Sequence, residues 1–303
     1  YGTTCARVGC MPSKLLIAAA EASHAIDAAP AFGVHVEGAK RIDGREVMGR
    51  VKRERDRFVG FVLKGVEGIP PEDRVVGRAR FTGRDTLDVD GHTRIEAKSV
   101  VIATGSSPSV PALLKAAGDR LVVNDDVFSW DDLPASVVVF GPGVIGLELG
   151  QSLARLGVRV AVLGRGGRVG PLTDPVVRGA FLAAISTELY VDPDADVERV
   201  TRVGDEVEVA YRALDGSPRV ERFAYALAAT GRRPNVDGLG LESLGLALDA
   251  TGVPVHDPRT LRIAGTNLFI AGDAANDIPL LHEAANEGRI AGHNAADPAG
   301  SEP

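Results

Sequence analysis

Both cysteines of the chain lie in one segment, Cys5-Ala6-Arg7-Val8-Gly9-Cys10. In an unbroken helix, residues five apart point about 140° away from each other. A disulfide requires Cα atoms within about 7 Å. The pair can therefore bridge only where the segment bends, and Gly9 allows a bend. Pro12 suits a first helical position, so a helix beginning there turns its positive end toward Cys10. Such an end favours the thiolate. The spacing thus suits a redox disulfide that opens to a stabilised thiolate. Two inert buried cysteines, or half a metal site, are the other readings. Zinc is poorly served, because there is no third cysteine and His24, His35, His92, His256, His282 and His293 are scattered.

A second segment could hold a phosphate. Gly141-Pro142-Gly143-Val144-Ile145-Gly146 follows an apolar run and opens a helical pattern. In that strand–turn–helix frame, the glycines make a tight turn, let backbone approach a pyrophosphate and let helix and strand pack closely. The helix N-terminus supplies the anion site. An acid about 20 residues on is usual for the ribose of NAD. Here the second strand ends Val162-Leu163-Gly164-Arg165, with Arg168 following. The acid is absent, and guanidinium groups suited to a 2′-phosphate are present. NADP(H) tolerance or preference is the expectation, and two solvated surface arginines the alternative.

The elements that must position these groups are legible in outline. Helices are expected over 12–29 and 43–66, where Val47, Val51, Phe58, Phe61 and Val62 recur at helical spacing. Short alternating bursts over 74–103, divided by turn signals such as Asp90-Gly91, predict a strand meander. Pro108, Pro111 and Pro134 bracket a loop-rich segment. A strand at 137–140, a helix to about 156 and a strand at 158–163 make a βαβ half-unit. Strands follow at 197–212, 219–229 and 268–272, then a helix over 280–294.

Composition narrows the function classes. The 303 residues carry 41 acidic against 34 basic side chains, a formal charge of −7, which argues against a nucleic-acid binder. Hydrophobic residues make up 45% and charged residues 25%, enough for a buried core. No apolar run reaches the roughly 18 residues of a membrane helix. Two cysteines make no secreted disulfide scaffold. Thirty-six glycines, many in turn-like clusters, are more than average usage.

With these residues in view, Gly2-Thr3-Thr4-Cys5-x4-Cys10-Met11-Pro12-Ser13-Lys14 resembles the active-site signature of the flavin-dependent pyridine nucleotide–disulfide oxidoreductases. Arg7 is a departure, since members usually carry Asn there. The likeness runs along almost the whole chain. Ala103-Thr104-Gly105 resembles the family's turn beside FAD. Ala271-Gly272-Asp273 resembles the motif whose Asp binds the ribityl chain. Gly231-Arg232-Arg233-Pro234-Asn235 matches the turn leaving the nicotinamide domain. Pro279-Leu280-Leu281-His282 and Glu287-Gly288 look most like dihydrolipoyl dehydrogenase.

The resemblance implies an α/β fold of two Rossmann-like nucleotide-binding domains, with a parallel sheet plus β-meander. The NAD(P) domain (135–239) is inserted in an FAD domain (1–134 and 240–295), and 296–303 is a tail. It implies Cys10 beside the flavin, Cys5 as the sulfur that meets substrate, and Lys14 paired with Glu148 near the flavin. FAD contacts fall on Lys14, Ala103, Thr104, Gly105, Asp273, Pro279, Leu280, Leu281 and His282. NAD(P) contacts fall on Gly141, Gly143, Val144, Ile145, Gly146, Glu148, Arg165, Arg168 and Gly231. No metal is expected.

The implied activity passes electrons between a dihydrolipoamide-like dithiol, the cysteine pair, FAD and NAD(P)H. A glutathione- or mercuric-type reductase is the alternative in the family, and a non-catalytic FAD/NAD(P) module the alternative outside it. The partner is a small-molecule or lipoyl-domain dithiol, with no nucleic acid or membrane, in a cytoplasmic homodimer. Residue 1 is Tyr, with no signal peptide after it. A further G-x-G-x-x-G unit is expected before Tyr1 and a dimerisation domain after Asn294. Without them this piece is expected neither to retain FAD nor to turn over. The family's catalytic His lies in a His-Pro-Thr-type motif that does not occur here, so no base is assigned.

Overall fold

The computed structural model describes residues 3–297. Gly2 of the cysteine motif and residues 298–303 of the tail lie outside the described residues. In chain order the elements begin with α1 (Thr4–Val8), α2 (Cys10–Ala28), α3 (Gly44–Glu67), β1 (Ala79–Phe81), β2 (Thr86–Val89), β3 (Thr93–Glu96), β4 (Val100–Ile102) and β5 (Ser106–Pro108). Then come β6 (Leu121–Val123), α4 (Asn124–Val127), β7 (Ser136–Phe140), α5 (Val144–Arg155), β8 (Arg159–Leu163), α6 (Pro175–Ile185) and β9 (Tyr190–Asp192). The chain continues through β10 (Asp196–Val203), β11 (Glu206–Arg212), β12 (Pro218–Phe223), β13 (Tyr225–Ala228), β14 (Arg232–Pro234), β15 (Leu268–Ile270) and α7 (Leu281–Ala296). Two compact units result, dividing the chain after residues 66, 107 and 231.

The first unit takes residues to 66 and Pro108–Gly231. Its centre is a five-stranded sheet in the order β6-β13-β7-β8-β9, parallel throughout. All five residues of β7 are buried, as a strand covered on both faces requires. Val137, Val139 and Val162 share one core with Leu149 and Leu153 of α5, Leu16 and Ala20 of α2, and Met48 and Val51 of α3. Val138, Phe140, Ala161 and Leu163 face a second core with Val207, Val209, Tyr211 and Phe223. Those last residues belong to the antiparallel meander β10-β11-β12. The period of two in a strand separates the sets. The middle stretch returns to its own start, because Ser109 N–H donates to Gly231 O at 2.9 Å.

Helix α2, which carries Cys10, thus shares a core with the strand–turn–helix unit. The segment read as loop-rich holds β6, which pairs with β13 and extends the sheet.

The second unit takes residues 67–107 and 232 onward. It holds the antiparallel meander β1-β2-β3 and a parallel pair, β4 with β15. Val100 lies opposite Leu268 and Ile102 opposite Ile270. Phe81, Ile102, Val236, Leu241, Ile263, Leu268 and Ile270 fill its core. This is the α/β nucleotide-binding architecture expected from the sequence.

Candidate dithiol and nucleotide sites

Thr3 begins the dithiol site by capping α1, its Oγ1 accepting from Ala6 N–H at 3.1 Å. The helix stops at Gly9, and α2 starts afresh at Cys10. A Cβ on Gly9 would lie 3.0 Å from Thr4 O and 3.3 Å from the Cys5 Cα, so a side chain there would press on the first turn of α1. The anticipated bend is present. The helix begins two residues before Pro12, which still sits in the first turn, where its missing N–H breaks no helical bond. Asn124 Nδ2 donates to Val8 O at 3.0 Å and fixes the end of α1.

Both cysteines are free thiols, Cys5 half-buried and Cys10 exposed. Burial, then the hydrogen bond and charge of the neighbouring Cys10, push the Cys5 thiol from an ordinary 9.0 up to about 12. The two sulfurs are therefore neighbours. The folded thiol holds its proton more tightly than the unfolded one, so the stability it confers is full below pH 9.0 and is lost as pH rises toward about 12. Urea midpoints of the reduced chain at about pH 8 and about pH 10.5 should fall further than those of Cys5→Ala. Equal falls would remove the assignment.

Lys14 lies one turn beyond Cys10 on α2, on the same face. Its Nζ pairs with Glu148 Oε1 of α5 at 2.6 Å, with Lys14 mostly exposed. The structure thus joins three of the expected residues along α2 and α5.

The expected nucleotide loop is the β7–α5 turn. Gly141 has φ +106°, and a Cβ there would lie 2.4 Å from Ala229 O. A Cβ on Gly146 would lie 2.0 Å from Gly141 O. Gly143 has no atom within 4 Å of an added Cβ, leaving open approach to its backbone. No side chain caps the first turn of α5, and Val144 and Ile145 are exposed. Gly231, at φ +106°, follows the strand end that abuts Gly141.

After β8, Arg165 and Arg168 are both exposed. Neither has an ion pair among the described residues. The sequence reading missed what holds this turn. Gly164 N–H donates to Asp192 O at 2.6 Å and Gly167 N–H to Pro193 O at 3.1 Å. Gly166 N–H donates to the Asp194 carboxylate at 2.6 Å. Asp192-Pro193-Asp194 was a visible turn signal, but the strand before it was not recognised.

In the second unit, the two flavin-like turns lie past the ends of β4 and β15, and Asn235, from the turn likened to the exit of the nicotinamide domain, bonds to the first of them. Thr104 Oγ1 donates to Asn235 O at 2.7 Å, and Asn235 Nδ2 donates back to Thr104 O at 3.0 Å. Asn235 N–H donates to Gly105 O at 2.8 Å and Ala271 N–H to Ile102 O at 3.0 Å. Ser106 Oγ donates to Asp273 Oδ2 at 2.6 Å, while Arg232 Nε donates to Ser106 Oγ at 2.8 Å. That relay leaves Asp273 as an oriented acceptor.

Gly272 N–H donates to Glu287 at 2.6 Å. Burial foremost, with Asp277 and Glu283 nearby, raises the Glu287 carboxyl above its usual range. Pro279, Leu280, Leu281 and His282 are exposed at the start of α7. His256, unassigned from sequence, faces Pro254 O and Asp277, each at 2.9 Å. Among the described residues, no group of three or more His, Cys, Asp or Glu could hold a metal ion, and no helix is long and apolar enough to cross a membrane.

One unit thus holds a neighbouring dithiol and an open β–α glycine turn, and the other an aspartate relay. The chain belongs to the pyridine nucleotide-disulphide oxidoreductase family, whose pattern matches residues 1–288. It is 32% identical over 309 residues to dihydrolipoyl dehydrogenase 3 of Pseudomonas aeruginosa, covering 97% of this chain and 65% of that protein. It is 30% identical to dihydrolipoyl dehydrogenase of Bacillus subtilis, covering 97% of this chain and 64% of that protein. The crystal structure of LpdA from Mycobacterium tuberculosis superposes with a TM-score of 0.80 at 27% identity, covering 97% of this chain and 64% of that one. The chain thus spans a little under two thirds of the length of these relatives.

Proposed function

We propose that the chain serves a flavin-dependent dithiol/disulfide oxidoreductase. In this reading, electrons pass between a dihydrolipoamide-like dithiol, the Cys5–Cys10 pair, FAD and NAD(P). The observation that carries it is the meeting of the two thiols where α1 ends and α2 begins, with Lys14 one turn further on and paired to Glu148.

The residues fit both groups. The open backbone at Gly143 and the uncapped first turn of α5 suit a diphosphate. Gly141, Val144, Ile145 and Gly146 shape that turn, Gly231 lies near it, and Arg165 and Arg168 would meet a 2′-phosphate. In the second unit, Asp273 is oriented to accept from a polyol hydroxyl, and Ala103, Thr104, Gly105 and 279–282 would line the flavin. The reading assigns FAD to 1–134 and 240–295, and NAD(P) to 135–239. When bound, these groups supply the two-electron chemistry that side chains lack.

The side chains do the sulfur chemistry. A substrate thiolate attacks Cys5 Sγ of the oxidised pair. The Cys5–Cys10 bond breaks, and Cys10 leaves as a thiolate at the positive end of α2. The second substrate thiol then displaces Cys5. The substrate ends as a disulfide, Cys5 ends as a thiol holding one of the substrate's two protons, Cys10 ends as a thiolate, and the other proton is released. Lys14, held by Glu148, balances negative charge near the reacting groups. A cytoplasmic homodimer acting on a small-molecule or lipoyl-domain dithiol completes the reading.

The test is the visible spectrum, on reduction, of the FAD-loaded full-length protein. A long-wavelength thiolate–flavin charge-transfer band is expected, with turnover of dihydrolipoamide faster than of oxidised glutathione or mercuric ion. Absence of the band would favour a non-catalytic FAD/NAD(P)-binding module. Faster turnover of glutathione or mercuric ion would move the substrate assignment.

A further inference from the structure

We propose that Asp194 sets how this chain reads the adenosine 2′ position, by bracing the turn that presents Arg165 and Arg168. This rests on the NADP(H) reading above and adds a positioning residue to it.

The turn Gly164-Arg165-Gly166-Gly167-Arg168 is built to be loose. Gly166 and Gly167 have φ of +76° and +70°, with no atom within 4 Å of an added Cβ at either. Glycine is present there for its backbone conformation, not for lack of room. Glycine loses more backbone freedom on ordering than any other residue, and three of the five residues here are glycine. Arginines mounted on it would have to be ordered by the ligand.

The corner after β9 removes that freedom in advance. It takes three inward donors from the turn, the N–H groups of Gly164, Gly166 and Gly167. Two go to backbone carbonyls of Asp192 and Pro193. The middle one goes to a side chain, Asp194 Oδ1 at 2.6 Å. Asp194 is itself fixed, since its N–H donates to Asp192 Oδ1 at 3.0 Å and Asp192 is 3% exposed. The brace therefore runs from a buried aspartate through Asp194 to the centre of the turn.

One consequence is chemical. With these three N–H groups aimed inward, an anion at the turn depends on the guanidinium groups rather than on a backbone nest. A ligand without a 2′-phosphate gains little from the brace. A ligand with one meets arginines whose mount is already ordered, and this preorganisation appears as affinity.

The experiment is a binding titration of the chain with 2′,5′-ADP and with 5′-AMP, which needs no turnover. The parent should bind 2′,5′-ADP more tightly. Asp194→Ala should weaken 2′,5′-ADP about tenfold and leave 5′-AMP unchanged, which also reports an intact fold. Asp194→Asn keeps the oxygen acceptor and should keep the parent's ratio. A parent that prefers 2′,5′-ADP with an Asp194→Ala variant of the same ratio would overturn the brace alone. A variant that binds 2′,5′-ADP more tightly would also overturn it, because the carboxylate would then be opposing the phosphate. A parent that binds both ligands equally would overturn the NADP(H) reading, and the brace with it.

Discussion

With serine at position 10, the chain is expected to stop at a mixed disulfide. Treated with an activated aromatic disulfide, the parent's first thiol forms an adduct and releases one aromatic thiol. The neighbouring thiol then displaces the second, closing the Cys5–Cys10 bond. The reduced parent, with its two cysteines, should release both aromatic thiols and carry no adduct in a mass spectrum. Cys10→Ser should release one and keep the adduct at Cys5. The contrast follows from the neighbouring thiols at the α1–α2 break, since an intramolecular thiol far outcompetes one in solution. In the flavin-loaded full-length protein, the same substitution should reduce dithiol turnover by ~10⁴-fold or more, the scale of losing a covalent nucleophile. A parent that retains two adducts, or a Cys10→Ser protein that turns over normally, would remove the dithiol assignment.

The second large effect is expected at Gly146→Ala, where the sign is the informative part. Alanine within a helix normally stabilises by ~0.4–1 kcal/mol relative to glycine. Here the new Cβ would lie 2.0 Å from Gly141 O and 3.2 Å from the Ala229 Cβ. The obstructing oxygen cannot withdraw easily. Gly141 N–H is tied to Leu163 O at 2.8 Å, and Gly141 itself abuts Ala229 O. The helix must therefore lift from the turn, at an overpacking cost of about 1–3 kcal/mol. A loss of up to about 1 M in urea midpoint should accompany loss of 5′-AMP binding. Gly143→Ala is the matched control. It has open space and φ −76°, so it should keep stability while weakening nucleotide binding. A Gly146→Ala protein as stable as the parent would show that helix and turn do not pack as described.

What the sequence conveyed was largest where a residue type has one physical use. The break at Gly9 and the Gly141–Gly146 turn were legible in this way, as were α2, α3, α5 and α7 within a few residues, whereas the pairing of Lys14 with Glu148 came from the family resemblance alone. The short elements were not. β6 and β9 have three residues each and give no period to detect. Missing β9 also hid the Asp194 brace. Helix α6 was overlooked although Asp174 caps it, accepting from Val176 and Val177, with Pro175 at its first position. That Asp-Pro pair is a start signal available to a closer reading. The grouping of α2 and α3 with the β7–α5 unit was not readable, because apolar stripes state that a helix is buried and not against what. The pairing of His256 with Asp277, 21 residues apart, depends on a loop path that no local pattern encodes.

The hydrogen bond between Ser109 and Gly231 bears on how such a chain can be rearranged. A stretch of more than a hundred residues leaves its surroundings and comes back to the same place, so a foreign stretch with touching ends could be spliced in without straining the join. The restriction lies in packing rather than connectivity. Leu16, Ala20, Met48 and Val51, outside that stretch, complete its core. A successful transplant must therefore offer those four residues a matching surface, and grafts chosen only for their junctions should fail there.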